Sequence, residues 1–126
     1  MAELSRAEAV DLLEARYWFP IRGDMLPWPL AAAVFDHAVH SGPAQAAIAL
    51  QRAVGARRDG IIGERTLAAV AARPQRGLLA HVLELRVREL LREGRGVFMA
   101  GWMARVANLS LVCGLELGAL ERPRAA

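Results

Sequence analysis

Leu50-Gln51-Arg52-Ala53-Val54-Gly55-Ala56-Arg57-Arg58-Asp59-Gly60-Ile61-Ile62-Gly63-Glu64-Arg65-Thr66-Leu67 reads as the end of one helix, a rigid loop and the start of the next. Leu50 anchors the first helix, and Gln51 beside it offers a polar end to the loop that follows. Gly55 permits a left-handed exit from that helix. Asp59-Gly60 is a turn dipeptide, and the Asp59 carboxylate is placed to accept backbone N–H bonds within the turn. Ile61 or Ile62 pins the loop to the core. Gly63 lets the chain turn tightly, and Thr66 can bond back from the first turn of the next helix. An EF-hand is excluded, because the carboxylates required at alternate loop positions and the closing Glu are missing.

The pattern on either side is also helical. Ser5 followed by Glu8 is a capping box that opens a helix through about Arg16. Leu4, Ala9, Leu12, Leu13 and Tyr17 recur near the helical period and form one apolar stripe. Phe19-Pro20 stops that helix, and residues 21–28 form a Pro- and Gly-containing loop. A second helix is expected over about 29–40, with Pro29 in the tolerated first turn, and a third over about 44–54. Beyond the central loop a fourth helix spans about 64–72. A fifth spans about 75–92, with Leu78, Leu79, Val82, Leu85, Leu90 and Leu91 for burial. A last helix runs from about Val97 to Leu117. No stretch alternates with period two for long enough to be a strand. The fold class is therefore all-α, a compact bundle of about six helices over residues 1–126, with no domain boundary.

A chain of 126 residues with 55% apolar and 23% charged residues suits one domain and excludes a disordered protein. The net charge is +3, and every basic residue is Arg. The arginines are scattered among acids. Those from Arg86 to Arg95 interleave with Glu84, Glu89 and Glu93, which reads as a solvated face with pairs such as Glu84–Arg88. No basic stripe with base-reading side chains stands out, so nucleic acid is not an expected partner. A single cysteine, Cys113, rules out a disulfide framework and reads as a buried small hydrophobe. The N-terminus has no apolar run of a signal peptide. The apolar stretch 97–120 approaches the about 20 residues of a membrane span. Arg105 near its centre would cost roughly 2.5–3.5 kcal/mol, so a core helix with a polar stripe is preferred.

Several blocks in order carry a family resemblance. They are Tyr17-Trp18-Phe19-Pro20, Phe35-Asp36-His37-Ala38-Val39-His40-Ser41-Gly42, the Leu50-Gln51 to Thr66 loop, Arg86, and Phe98-Met99-Ala100-Gly101-Trp102-Met103-Ala104-Arg105-Val106. The central loop resembles the signature of peptidoglycan-binding helical domains. Together, over about residues 4–109, the blocks resemble the C-terminal two-thirds of glycoside hydrolase family 108, N-acetylmuramidases of phage and bacteria. The resemblance implies a lysozyme-like helical fold and peptidoglycan as partner. It also implies synthesis in a bacterial cytoplasm and action at the cell wall after release.

The family's catalytic Glu lies in a Glu-Gly-Gly-Tyr-type stretch, and no Glu-Gly-Gly occurs in this sequence. Muramidase chemistry needs a positioned proton donor and usually a second carboxylate or base. The expectation is therefore a peptidoglycan-binding protein that is not catalytic as it stands, with no catalytic residue assigned. The alternative is a subunit or remnant of an active muramidase whose catalytic Glu comes from a missing or separate N-terminal segment. Surface left bare by such a segment would favour a partner chain or self-association.

Candidate glycan contacts are Tyr17, Trp18 and Trp28, whose aromatic faces can stack on sugar rings. Anchoring the Pro-rich loop is their competing role. Asp36 and His40 share a helix face. Asp36 reads as a buried acceptor of hydrogen bonds, with lining of a glycan groove as a second role for the pair. Two histidines and a carboxylate on one helix suggest a metal, but the spacing lacks the His-Glu-x-x-His order and no third ligand is apparent. No metal or cofactor is expected. Leu50, Gln51, Asp59, Gly60, Gly63 and Thr66 are structural, as are Trp102 and Arg105. That last pair braces the final helix through a cation–π contact or an ion pair to Asp36 or Glu84.

Overall fold

The computed structural model describes residues 3–93 and Asn108. These residues form α1 (Arg6–Leu13), a π-helical turn (Glu14–Trp18), a 3₁₀ turn (Gly23–Met25), α2 (Leu30–Ser41), α3 (Pro43–Val54), α4 (Glu64–Ala71) and α5 (Gln75–Glu93). The expected all-α class is what these residues form. The last helix expected from the sequence, with Trp102, Arg105 and Cys113, lies outside the described residues.

The helix boundaries follow local chemistry. Ser5 caps α1, its Oγ accepting from the Glu8 N–H at 3.1 Å. Pro29 precedes α2, and Pro43 opens α3 in its first turn, where no amide hydrogen is needed. Gly55 ends α3 with φ of 72°, a left-handed conformation that glycine adopts without a Cβ penalty. Side chains satisfy the orphan carbonyls at two helix ends. Arg73 Nη2 donates to the Val54 carbonyl at 3.2 Å, and Gln75 Nε2 donates to the Val70 carbonyl at 3.0 Å.

α2 packs against both α3 and α5, and α3 also meets α4 and α5. The core they enclose contains Leu30, Val34, Ala38, Ala47, Leu50, Val54, Val70, Leu79 and Val82. Ile21, in the stretch expected to be only a loop, is fully buried and belongs to the same core.

Three expectations about burial are corrected. No residue of α1 is buried. Its stripe is broken by the π turn, in which Phe19 N–H bonds to the Glu14 carbonyl five residues back at 2.8 Å. The extra residue per turn shifts the side-chain phase, so Tyr17 and Trp18 reach the core while Leu12 and Leu13 stay exposed. Leu91 is 55% exposed because Leu90 takes the inward position, and consecutive helical residues do not share a face. Arg86, read as part of a solvated face, is only 6% exposed. The Glu84–Arg88 pair of that face does form, at 2.8 Å.

The central loop is organised by one side chain. Gln51 is fully buried. Its Nε2 donates to Asp59 Oδ1 at 2.9 Å, to the Ile61 carbonyl at 2.9 Å and to Thr66 Oγ1 at 3.2 Å. Two hydrogens thus serve three acceptors. Its Oε1 accepts from the Gly60 N–H at 2.9 Å. Asp59 Oδ1 also accepts from the Ile61 N–H at 3.0 Å, and these two donors hold its carboxyl below the usual carboxylate range. Ile62 pins the loop to the core and Ile61 faces solvent. The sharp turn is made at Gly60, with φ of 79°. Gly63, expected to supply it, has φ of −102° and open space where a Cβ would point, a conformation that any L-residue adopts.

Gln51→Leu keeps the volume and removes all four hydrogen bonds. It leaves the Gly60 N–H without its acceptor and Thr66 Oγ1 without its buried donor. The expected loss of stability is about 2–4 kcal/mol, read as a lower denaturant midpoint at unchanged slope. A loss under about 0.5 kcal/mol would show that the loop does not depend on this amide.

Candidate functional site

The π turn and the following 3₁₀ turn bring two aromatic rings and two carboxylates together. Trp18 ends the π turn, and its indole Nε1–H donates to Asp24 Oδ1 at 3.0 Å. Phe35, from α2, meets the indole edge-to-face with ring centroids 5.6 Å apart and planes at 73°. Such a geometry suits the opposite charges of a ring's face and edge. Gly23 lies against the indole, and a Cβ built there would collide with the Trp18 ring. Glu14, Trp18, Asp24 and Phe35 line a surface hollow of about 310 Å³.

The hollow offers an apolar wall and acceptor oxygens in one place, a pairing of groups suited to a sugar. C–H faces of a pyranose can pack on rings, and hydroxyls can donate to carboxylates. Among the sequence candidates, Trp18 is in this hollow. Tyr17 is half-buried against the core. Trp28 is 58% exposed and stands on the loop outside it. Glu14, Asp24 and Phe35 were missed by sequence reasoning. The signal for Asp24 was available in principle, as a carboxylate six residues beyond a tryptophan across a glycine. Glu14 was legible only once the π turn had set its direction.

Asp36 and His40 are half-buried on α2, and neither lines the hollow. Asp36 is thus less enclosed than expected. Both act on His37 between them: His40 and Asp36 shift its protonation in opposite directions. His37 is buried, with Nε2 3.1 Å from Glu89 Oε2 of α5. Arg86 Nη1 contacts the same carboxylate oxygen at 3.3 Å. Burial, first, and the Arg86 charge, second, push the His37 pKa down to about 4. The Asp36 carboxylate pulls the other way but is the smallest of these influences, so burial prevails and the imidazole is neutral at pH 7. Among the described residues no group of three or more His, Cys, Asp or Glu side chains could hold a metal ion. Nor is any described helix long and apolar enough to cross a membrane.

The described residues thus form a helical bundle with an aromatic–carboxylate hollow and a glutamine-locked loop. The sequence profile described as Glycosyl hydrolase 108 matches residues 1–42. A solved structure, that of Brucella abortus SagA, superposes with a TM-score of 0.82 at 34% identity, covering 98% of this chain and 69% of that one. No curated protein sequence matches. The chain belongs to the glycosyl hydrolase 108 family, and its fold and family are those of a muramidase-like cell-wall protein.

Two outcomes are expected. Gly23→Ala displaces the indole or the 3₁₀ turn, with a loss of about 1–3 kcal/mol and an altered tryptophan emission; an unchanged spectrum would oppose the packing described. His37 makes stability depend on pH in a defined window. Above pH 6.5 the imidazole is neutral in both states and contributes nothing. Below it the unfolded chain takes up a proton that the folded chain refuses until about pH 4. Stability therefore falls between those values by on the order of 3 kcal/mol. Denaturant midpoints against pH should show a shallower fall for His37→Leu, and parallel curves would contradict the assignment.

Proposed function

We propose that this chain binds the glycan strands of peptidoglycan at the Trp18–Phe35 hollow, and that these residues by themselves bind without cleaving. The observation that carries the reading is the joining of an aromatic wall to the Glu14 and Asp24 carboxylates in a chain of a glycosyl hydrolase family. Asp24 is engaged by the Trp18 indole, which makes it a fixed acceptor. Trp28, exposed on the neighbouring loop, extends the aromatic surface. Net positive charge assists approach to a polyanionic wall.

Family membership favours a second reading, in which the chain works in cleavage together with a Glu-Gly-Gly-type segment on another polypeptide or in a longer product. Apolar side chains exposed along α1, Val10, Leu12 and Leu13 among them, support a partner surface there. A clean monomer by light scattering at high concentration would count against it.

Co-sedimentation with purified peptidoglycan tests the first reading. Retention should exceed that of an unrelated protein of equal charge. It should fall about tenfold in Trp18→Phe with Glu14→Gln, since two or three sugar contacts are each worth about 0.5–1.5 kcal/mol. Retention no better than the charge control would overturn it. Clearing of wall suspensions by the lone chain would replace the binding-only reading by the hydrolytic one.

A further inference from the structure

The mechanism of wall binding leaves unused a second cleft, of about 160 Å³, between α3 and α5. Its lining includes Gln45 and Arg52 from α3, and Arg86, Glu89 and Arg92 from α5, with His37 of α2 also present. These residues share nothing with the Trp18 hollow. Three guanidinium groups face one carboxylate there, so the cleft carries net charge of +2 (three Arg less one Glu). Arg88 lines the adjoining groove, but its charge is matched by Glu84 at 2.8 Å.

The arginines divide into two kinds. Arg52 and Arg92 are exposed and have no ion pair among the described residues. Arg86 is more than nine-tenths buried. It spends Nη1 on Glu89, and its buried Nε–H has no hydrogen-bond partner among the described residues. A buried, unpaired guanidinium N–H is costly. Its retention beside two unpaired surface arginines is explained if an anion completes the set. Guanidinium forks match tetrahedral oxyanions, and several converging on one group hold it more firmly than point charges would.

We propose that the α3–α5 cleft is a binding site for a phosphate group, with Arg52 and Arg92 gripping it at the rim and Arg86 at the floor. The volume admits one such headgroup and little more. A dianionic phosphate monoester neutralises the surplus charge fully, and a monoanionic diester halves it. Both are phosphate esters, the former typical of a small metabolite and the latter of a polymer backbone.

The test is titration of the full chain with glycerol phosphate and, separately, with the monoanionic diester dimethyl phosphate, at constant ionic strength, followed by NMR of arginine side chains. Saturable shifts of Arg86 are expected. The Arg52→Gln/Arg92→Gln double variant should bind at least about tenfold more weakly. Arg58→Gln, a charge removal on the distant loop, should leave binding unchanged. Both variants alter exposed side chains and keep the fold. Response to the monoester alone identifies a small ester as the ligand, and response to the diester identifies a polymer backbone; either outcome supports the site. Absence of saturation with both ligands, or equal weakening in Arg58→Gln and in the double variant, overturns the proposal.

Discussion

The Gln51 amide is the point from which the second half of the fold is set. A fully buried primary amide must find partners or destabilise the chain. Here every partner lies in the next fifteen residues: the Gly60 N–H, Asp59 Oδ1, the Ile61 carbonyl and Thr66 Oγ1. The loop is thus closed around α3's last turn before α4 begins. Because Thr66 is in the first turn of α4, that helix cannot rotate without breaking the network. Ile62 then enters the core at one angle, and Ile61 is left outside. A polar anchor gives direction where an apolar contact alone would allow sliding.

The tight turns before α2 touch this loop as well. Arg22, at a left-handed position before the 3₁₀ turn, reaches the Ile62 carbonyl at 3.4 Å and Glu64 Oε1 at 3.5 Å. The Glu64 pair is exposed and adds little by itself. Its meaning is positional. Arg22 immediately precedes Gly23, against which the Trp18 indole rests. The aromatic hollow and the glutamine-locked loop are therefore adjacent in structure through residues 22–24, though far apart in sequence. A disturbance of the loop should be felt in the placement of Trp18 and Asp24.

Legibility followed the range of the forces involved. Local signals were readable. Ser5 with Glu8, Pro43, Gly55 and the Asp59-Gly60 turn each act over a few residues, and each stands close to where the pattern places it. The roles of Gln51, Asp59 and Thr66 were also readable, since all belong to one short loop. What failed depended on registry. A helical wheel puts Leu12, Leu13 and Tyr17 on one stripe, but a single π turn rephases the chain and separates them. Arg86 is flanked by Glu84 and Glu89 at spacings that suit a solvated helix, and only the approach of α2 and α3 places it inside. The same approach gives it His37 as a neighbour. A one-dimensional pattern carries no term for such packing. Of the glycan candidates read from the sequence, the structure brings only Trp18 into the hollow with Glu14, Asp24 and Phe35. The sequence could not select Glu14 and Asp24, because their direction is set by the two tight turns on either side of Ile21.

His37, Arg86 and Glu89 show how the fold tolerates charge in its interior. Neutral His37 avoids the cost of a second buried cation beside Arg86. Glu89 can then serve Arg86 chiefly, with a single Nη1 contact at 3.3 Å. One carboxylate does not exhaust five guanidinium donors, and among the described residues the buried Nε–H has no partner. If the cluster existed only to join α2 to α5, an apolar contact would join them at lower cost, as replacements of buried ion pairs by packed hydrophobes show. The neutral histidine, the half-satisfied arginine and the open cleft beside them are more economically understood together. On the proposal made for the α3–α5 cleft, an anion held there gives the buried Arg86 Nε–H the partner that Glu89, already engaged at Nη1, does not supply.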